Sequence, residues 1–296
     1  MKTAIIFSRR KLMGKVRFMS QNQWNKTPNL EAWEKLGLDC SAKVRMRGHV
    51  QILGELLPDI AGGQEVNADM QKLLKFYSVD AGLNYTLIWG NFTPIFYRAD
   101  KFELLDSEYL CYPEKVDGYE GEFNDVLSKS CNLGVFRDKS DGKVFIFATT
   151  HLWWKNGSDP ECRWYQRGSD EVRTMQIRLA DQMIRKYQAK YGNCPVILGG
   201  DMNARYDTPV IRWALGEGGY SHAHDVAVDY VDETSGYNGC GPNGPGKWDT
   251  RGFATAIDHI FVRDLPEGAV KRFERYSPDF YLYLSDHSPI IADIEL

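Results

Sequence analysis

The feature that most constrains this chain is a series of short apolar, β-rich runs that each end on, or carry, one strongly polar residue. Such runs cover residues 16–21, 85–89, 94–98, 143–150, 195–200, 256–262 and 289–294, with the length and the branched or aromatic content of strands. Side chains alternate between the two faces of a strand. A carboxylate at the end of such a run is therefore aimed at one face, and several such ends can build one site.

Helical patterns lie between the strands. Over 41–57, Val50, Leu53 and Leu57 fall on one face, and Pro58 ends the pattern. A second helix is predicted over 170–191, with Val172, Met175, Leu179, Met183 and Ile184 on one side, Ser169 as N-cap and Gly192 as stop. A third, over 208–215, takes Thr208 as N-cap and Pro209 in the first turn, where the missing N–H costs nothing. Strands alternate with helices in places and run as hairpins in others, which points to α/β architecture with mixed sheets rather than one parallel sheet. Residues 232–250 hold seven glycines and prolines without periodicity and read as a long loop, functional or disordered.

With 296 residues, 43% hydrophobic content and no repeat or linker, the chain is expected to form a single domain over 1–296, with 1–15 as a loosely ordered extension. Six cysteines, at 40, 111, 131, 162, 194 and 240, include no CxxC pair and read as core thiols of a reducing compartment. The only early apolar run, 4–7, is far shorter than a signal-peptide core, and no later run reaches membrane-spanning length. The expectation is a soluble, cytoplasmic protein. A net charge of −4 argues against gripping long nucleic acid through a pervasive basic surface. The basic residues at 43–47 read equally as a local basic cluster or as the solvated face of a helix.

Five motifs carry the chemistry. Gly199-Gly200-Asp201-Met202-Asn203 follows an apolar strand and turns a carboxylate and a carboxamide to the same side, the glycines permitting close approach to a ligand. Taken alone it also fits a tight turn. Asp286-His287 stands at the entry to the last strand, and Glu65 ends the apolar pattern 59–65. His151 ends another apolar run, and Asp258 sits inside the run 256–262, where an acid demands a partner. His259 points to the opposite face of that strand and is left out of the site.

In order and spacing this set resembles the endonuclease/exonuclease/phosphatase superfamily of DNase I-like, metal-dependent phosphoesterases. The resemblance rests on Asn22, Gln64-Glu65, Thr150-His151, Gly200-Asp201-Met202-Asn203, Ile257-Asp258-His259-Ile260 and Ser285-Asp286-His287. The segment 95–98 leading into 102–105 looks like the family's mid-domain hairpin. The resemblance implies a four-layer α/β/β/α sandwich of two mixed sheets flanked by helices. It implies Mg²⁺ or Mn²⁺ held by Asn22, Glu65 and Asp286, with Asn25 a rival for the role of Asn22. It further implies Asp201 as the base for an attacking water, Asn203 on a phosphate oxygen, His151 and His287 as donors to the phosphate, and Asp258 as the partner of His287. The substrate would be a phosphate ester: single-stranded nucleic acid, a phospholipid head group or a small phosphorylated metabolite. Trp153, Trp154 and Trp164 could stack a ring of such a substrate or pack in the core. The residues after Asp201 look more like the deadenylase and sphingomyelinase branches than the 5-phosphatases. The competing reading is a catalytically inactive relative that acts as a binding scaffold, although none of the expected acids is missing. Zinc hydrolase chemistry lacks the clustered His and Cys ligands it needs.

Overall fold

A computed structural model describes residues 15–25 and 29–296, so the extension expected over 1–15 lies outside the described residues except for Lys15. In chain order the elements are β1 (Val16–Asn22), α1 (Glu31–Lys35), α2 (Ala42–Leu56), β2 (Ile60–Gln64), α3 (Ala68–Asp80), β3 (Tyr85–Ile88), β4 (Ile95–Arg98), β5 (Phe102–Cys111), β6 (Ser130–Asp138), β7 (Val144–His151), α4 (Ser169–Tyr191), β8 (Val196–Asp201), α5 (Pro209–Leu215), β9 (Ser221–His222), α6 (Ala223–Val226), β10 (Asp229–Val231), β11 (Asp258–Arg263), β12 (Val270–Arg275) and β13 (Ile290–Ile294). They form a seven-stranded sheet ordered β10-β12-β13-β1-β2-β4-β3 and a six-stranded sheet ordered β5-β6-β7-β8-β11-β9. Both sheets are mixed, because β1–β2, β10–β12 and β7–β8 pair in parallel while the neighbouring pairs are antiparallel.

The pleat sorts the side chains into the three cores of a four-layer sandwich. Val16 and Phe18 of β1, Ile60 of β2, Phe145 and Phe147 of β7, Ile197 of β8 and Ile260 of β11 share the core between the sheets. Met19 and Ala61 turn the other way, against Met46, Leu53, Met70 and Leu74 of α2 and α3. Ile146, Ala148 and Leu198 do the same towards Ile177, Ile184 and Ile211 of α4 and α5. Stacking of Phe18 on Phe147, with centroids 5.7 Å apart, joins the two sheets, and each such buried ring contributes about 2 kcal/mol.

The same alternation carries the inter-sheet face on to Ser20 and Asn22, Gln64, Thr149 and His151, Gly199 and Asp201, and Asp258. Gln64 Nε2 donates to Ser20 Oγ (3.0 Å) and Thr149 Oγ1 (2.7 Å), a polar layer that closes the apolar core just beneath the site. Glycine is required here for packing between strands and sheets. A Cβ on Gly62 would lie 2.5 Å from that of Thr149, and one on Gly200 would lie 2.1 Å from the Thr150 carbonyl oxygen.

Several sequence expectations need correction. Segments 95–98 and 102–105 do not form a hairpin: β4 pairs with β2 and β3, β5 pairs with β6, and the link between them crosses from one sheet to the other. Leu57 is not on the apolar face of α2 but caps it in the left-handed region, φ 47°. The N-cap of α4 is Gly168, φ 87°, and Ser169 is already helical. Asp258 opens β11 rather than lying within it. Arg45 is not solvated: it is fully buried and donates to the carbonyls of Gln23, Trp24, Cys40 and Leu284. No helix among the described residues is long and apolar enough to cross a membrane.

Candidate active site

Three neighbouring strands of the six-stranded sheet place His151, Asp201 and Asp258 in one row, because His151 is in register with Asp201 and Asp201 with Asp258. From the facing sheet come Asn22 at the end of β1, Glu65 just beyond β2 with φ 60°, and Asp286 and His287 just ahead of β13. The two groups meet over the polar layer of Gln64. All eight residues expected from the sequence form one contact network.

Asp201 is its centre. Its Oδ2 accepts from Asn22 Nδ2 at 2.9 Å and its Oδ1 from the Asn203 backbone N–H at 2.8 Å, while His151 Nε2 stands 3.5 Å and His287 Nδ1 4.0 Å from Oδ2. Burial and the nearby charge of Asp258 push the Asp201 carboxyl up to about 7. Asn203 takes a left-handed backbone, φ 47°, and its Nδ2 donates to the Leu152 carbonyl, tying the loop after β8 to the loop after β7.

His287 Nδ1 lies 2.7 Å from Asp258 Oδ2. Burial pulls the imidazole down, but Asp258, Asp286 and Asp201 outweigh it and hold the ring well above the ordinary histidine range. Arg275 donates to the Asp258 carbonyl at 3.1 Å and pairs with Asp232 at the same distance. The loop 232–250 packs over this corner. Asn238 donates from its backbone and side chain to the carbonyls of Asp286 and Ser285, and the Tyr237 ring meets His287 edge to face at 5.7 Å.

On the other side, Glu65 Oε1 accepts from Asn22 Nδ2 (3.2 Å) and Oε2 from the Asn25 backbone N–H (2.8 Å). The Asn25 side chain turns away and accepts from Asn67, the N-cap of α3. Burial raises Asp286 to about 6, with the negative charge of Glu65 adding to the rise against His287. These two carboxylates repel each other and offer oxygen ligands of the kind a hard divalent cation takes, while the Asn22 amide turns its Nδ2 to Glu65 and its Oδ1 to the Trp24 N–H. Asp201, Asp258 and His287 also lie close enough to share an ion, but His287 Nδ1 is paired with Asp258, and a protonated nitrogen has no lone pair to give. His222, His224 and Asp225 form a third cluster. There His222 Nδ1 accepts from the His224 backbone, and His222 Nε2 meets His259 Nδ1 at 2.9 Å. Both nitrogens of His222 are spent, and His259 Nε2 goes on to the Ala204 carbonyl.

Sequence reasoning missed Lys129. It is buried, and its Nζ lies 3.0 Å from His151 Nε2. No sequence signal marked it: only the pairing of the next residue, Ser130, with His151 across β6 and β7 brings it to the site. Burial, then the charges of Lys129 and His287, hold His151 well below the ordinary range and so neutral. Of the tryptophans, Trp153 is core, packed with Phe123 and Val172. Trp154 donates to Asp125 and meets the half-exposed Trp164 at 5.3 Å.

Comparison with known proteins agrees with this fold. A family model described as Endonuclease/Exonuclease/phosphatase family matches residues 42–287. No curated protein matches the chain. The fold is shared with an endonuclease/exonuclease/phosphatase from Bacteroides vulgatus, at TM-score 0.67 and 24% identity, covering 95% of this chain and 99% of that one. It is shared with the mannosyl-6-phosphatase Bt3783 of Bacteroides thetaiotaomicron, at TM-score 0.66 and 20% identity over 94% and 98% of the two chains. D. rerio TDP2 complexed with single strand DNA product also aligns, at TM-score 0.60 and 20% identity over 95% and 99%.

Proposed function

The chain belongs to the endonuclease/exonuclease/phosphatase family, and on that premise we propose that it hydrolyses a phosphate ester, diester or monoester, by attack of a water activated at Asp201. The observation that carries this reading is the buried Asp201 carboxylate, oriented by Asn22 and Asn203 and raised to about 7. A carboxylate of that basicity takes a proton from water near neutral pH far better than an exposed one. The water oxygen bonds to phosphorus, its proton passes to Asp201, and the ester oxygen leaves with the bonding pair.

As negative charge builds on the phosphoryl oxygens, the His287 imidazolium, held by Asp258, neutralises it from a fixed position. His151 presents a neutral ring on the other side of Asp201. Asn203 holds the loops that carry His151 and Asp201 in mutual register through the Leu152 carbonyl. Glu65 and Asp286, with Asn22, would hold Mg²⁺ or Mn²⁺. Bound there, the ion supplies a Lewis acid for a phosphate oxygen and the leaving oxygen.

The test is a panel of bis-p-nitrophenyl phosphate, single-stranded oligonucleotides, sugar phosphates, phosphoinositides and sphingomyelin, assayed with Mg²⁺ and with Mn²⁺. Turnover of at least one ester, abolished reversibly by chelator, is expected. Full activity in excess EDTA would end the metal-dependent reading. A salt titration then sorts the substrate class, since binding to a polyanion weakens steeply with salt and binding to a small ester does not.

A further inference from the structure

We infer that Lys129 is a catalytic residue of this site, an ammonium that donates to a phosphoryl oxygen on the His151 side while His287 does so from the other. This rests on the phosphoester reading above and adds a residue to it.

The first observation is the setting of the charge. Lys129 is 4% exposed, yet the side-chain atoms that meet its Nζ are the neutral His151 ring, at 3.0 and 3.4 Å, and Asp125 Oδ1 at 3.9 Å, beyond hydrogen-bond reach. An ammonium has three donors. A buried cation ordinarily takes a carboxylate at hydrogen-bond distance, and here the strongest contact is to a ring beside Asp201. A phosphate oxygen is the acceptor that such a placement suits.

The second observation is the turn that delivers it. Val126 and Leu127 are consecutive non-glycine residues in the left-handed region, φ 47° and 57°, which is strained for any L residue and most of all for a β-branched one. The turn is clamped on both sides. Asn124 Oδ1 accepts from the Lys129 N–H (2.8 Å), and Asn124 Nδ2 donates to the Lys129 carbonyl (2.9 Å) and to Tyr112 (2.7 Å). Ser128 bonds back to Asp125, and Asn91 holds the Leu127 carbonyl. Strain persists only where its surroundings over-determine it, and here the determined residue is Lys129.

The third is the balance of charge. His151 is neutral, so on its side of Asp201 the positive charge belongs to Lys129. A phosphoryl group settling over Asp201 would then lie between two cations from facing sheets, Lys129 just ahead of β6 and His287 just ahead of β13.

The experiment compares wild type with Lys129→Met by kcat/KM on an ester from the panel and by calorimetric binding of inorganic phosphate. Loss of about 100-fold or more in kcat/KM together with at least a tenfold weaker phosphate affinity is expected, with partial recovery of both in Lys129→Arg. A variant within threefold of wild type in both readings overturns the inference. So does a loss of turnover with unchanged phosphate affinity, which would make Lys129 a support for His151 alone. If Lys129→Met does not fold, Lys129→Gln keeps a donor for His151 without the charge, and the same criteria apply. Phosphate binding needs no turnover, so it tests Lys129 even if wild type hydrolyses no ester in the panel, the result that would sink the phosphoester reading itself.

Discussion

Asp258 and His287 meet at 2.7 Å although they lie 29 residues apart, one opening β11 in one sheet and the other preceding β13 in the facing sheet. Their contact spans the sandwich where the two sheets converge on the site. If the pair acts as a unit, Asp258→Asn and His287→Ala will each lower kcat/KM, and the double variant will lose much less than the product of the two single losses. Strictly multiplicative losses would show that the residues act separately.

Asp201 combines a catalytic benefit with a structural cost. A carboxyl raised from 3.8 to about 7 is one whose ionised form the fold disfavours, so the residue destabilises the native state increasingly as pH rises from 3.8 and in full above about 7. Asp201→Asn should lower kcat by about a thousandfold while leaving the melting temperature at pH 8 no lower than that of wild type. A kcat above about a tenth of wild type would remove Asp201 from the role of base.

Glu65 gives a metal test that does not depend on turnover. A cation that binds only the folded protein raises its stability by mass action. Millimolar Mg²⁺ or Mn²⁺ should therefore raise the wild-type melting temperature. Glu65→Gln, which removes one of two facing carboxylates, should require a higher concentration for the same rise and for half-maximal activity. An identical response in both proteins would place the ion elsewhere.

Acid stability should expose the buried imidazoles. Burial lowers His259 from 6.5 to about 4 and holds His49 and His222 well below the ordinary range. The unfolded chain takes up protons near pH 6.5 and the folded one does not, so the contribution is complete above 6.5 and is lost as pH falls from 6.5 towards 4. For His259 alone this amounts to about 2 kcal/mol by pH 5. Asp201 and Asp286, being raised, act in the opposite direction, so the clean measurement is a difference. Denaturant unfolding of wild type against His259→Gln should show their stability gap shifting by about 2 kcal/mol against wild type between pH 7.5 and 5. A gap independent of pH would contradict the assignment.

Much of this protein could be read from its sequence because strand and helix signals are local. Apolar runs predicted β1, β7, β8 and β13 to within a residue or two, and the alternation of side chains along a strand placed Asp201 and His259 on their respective faces. Polar residues at the ends of apolar runs pointed to Glu65, His151, Asp201, Asn203, Asp258, Asp286 and His287, and the resemblance to the family added Asn22. Strands whose faces are not cleanly apolar escaped: β12, Val-Lys-Arg-Phe-Glu-Arg, reads as a charged segment until β13 covers it. Tertiary structure alone decided which ends meet. Asn22 and Asp201 are 179 residues apart, and nothing local to either encodes how the two sheets stack. The same holds for Lys129, which looks like an ordinary surface lysine until the register of β6 on β7 sets it beside His151, and for Arg45, which looks solvated until the loop after β1 closes over it. Periodicity tells which face a residue takes; what lies opposite that face depends on contacts between segments far apart in the chain.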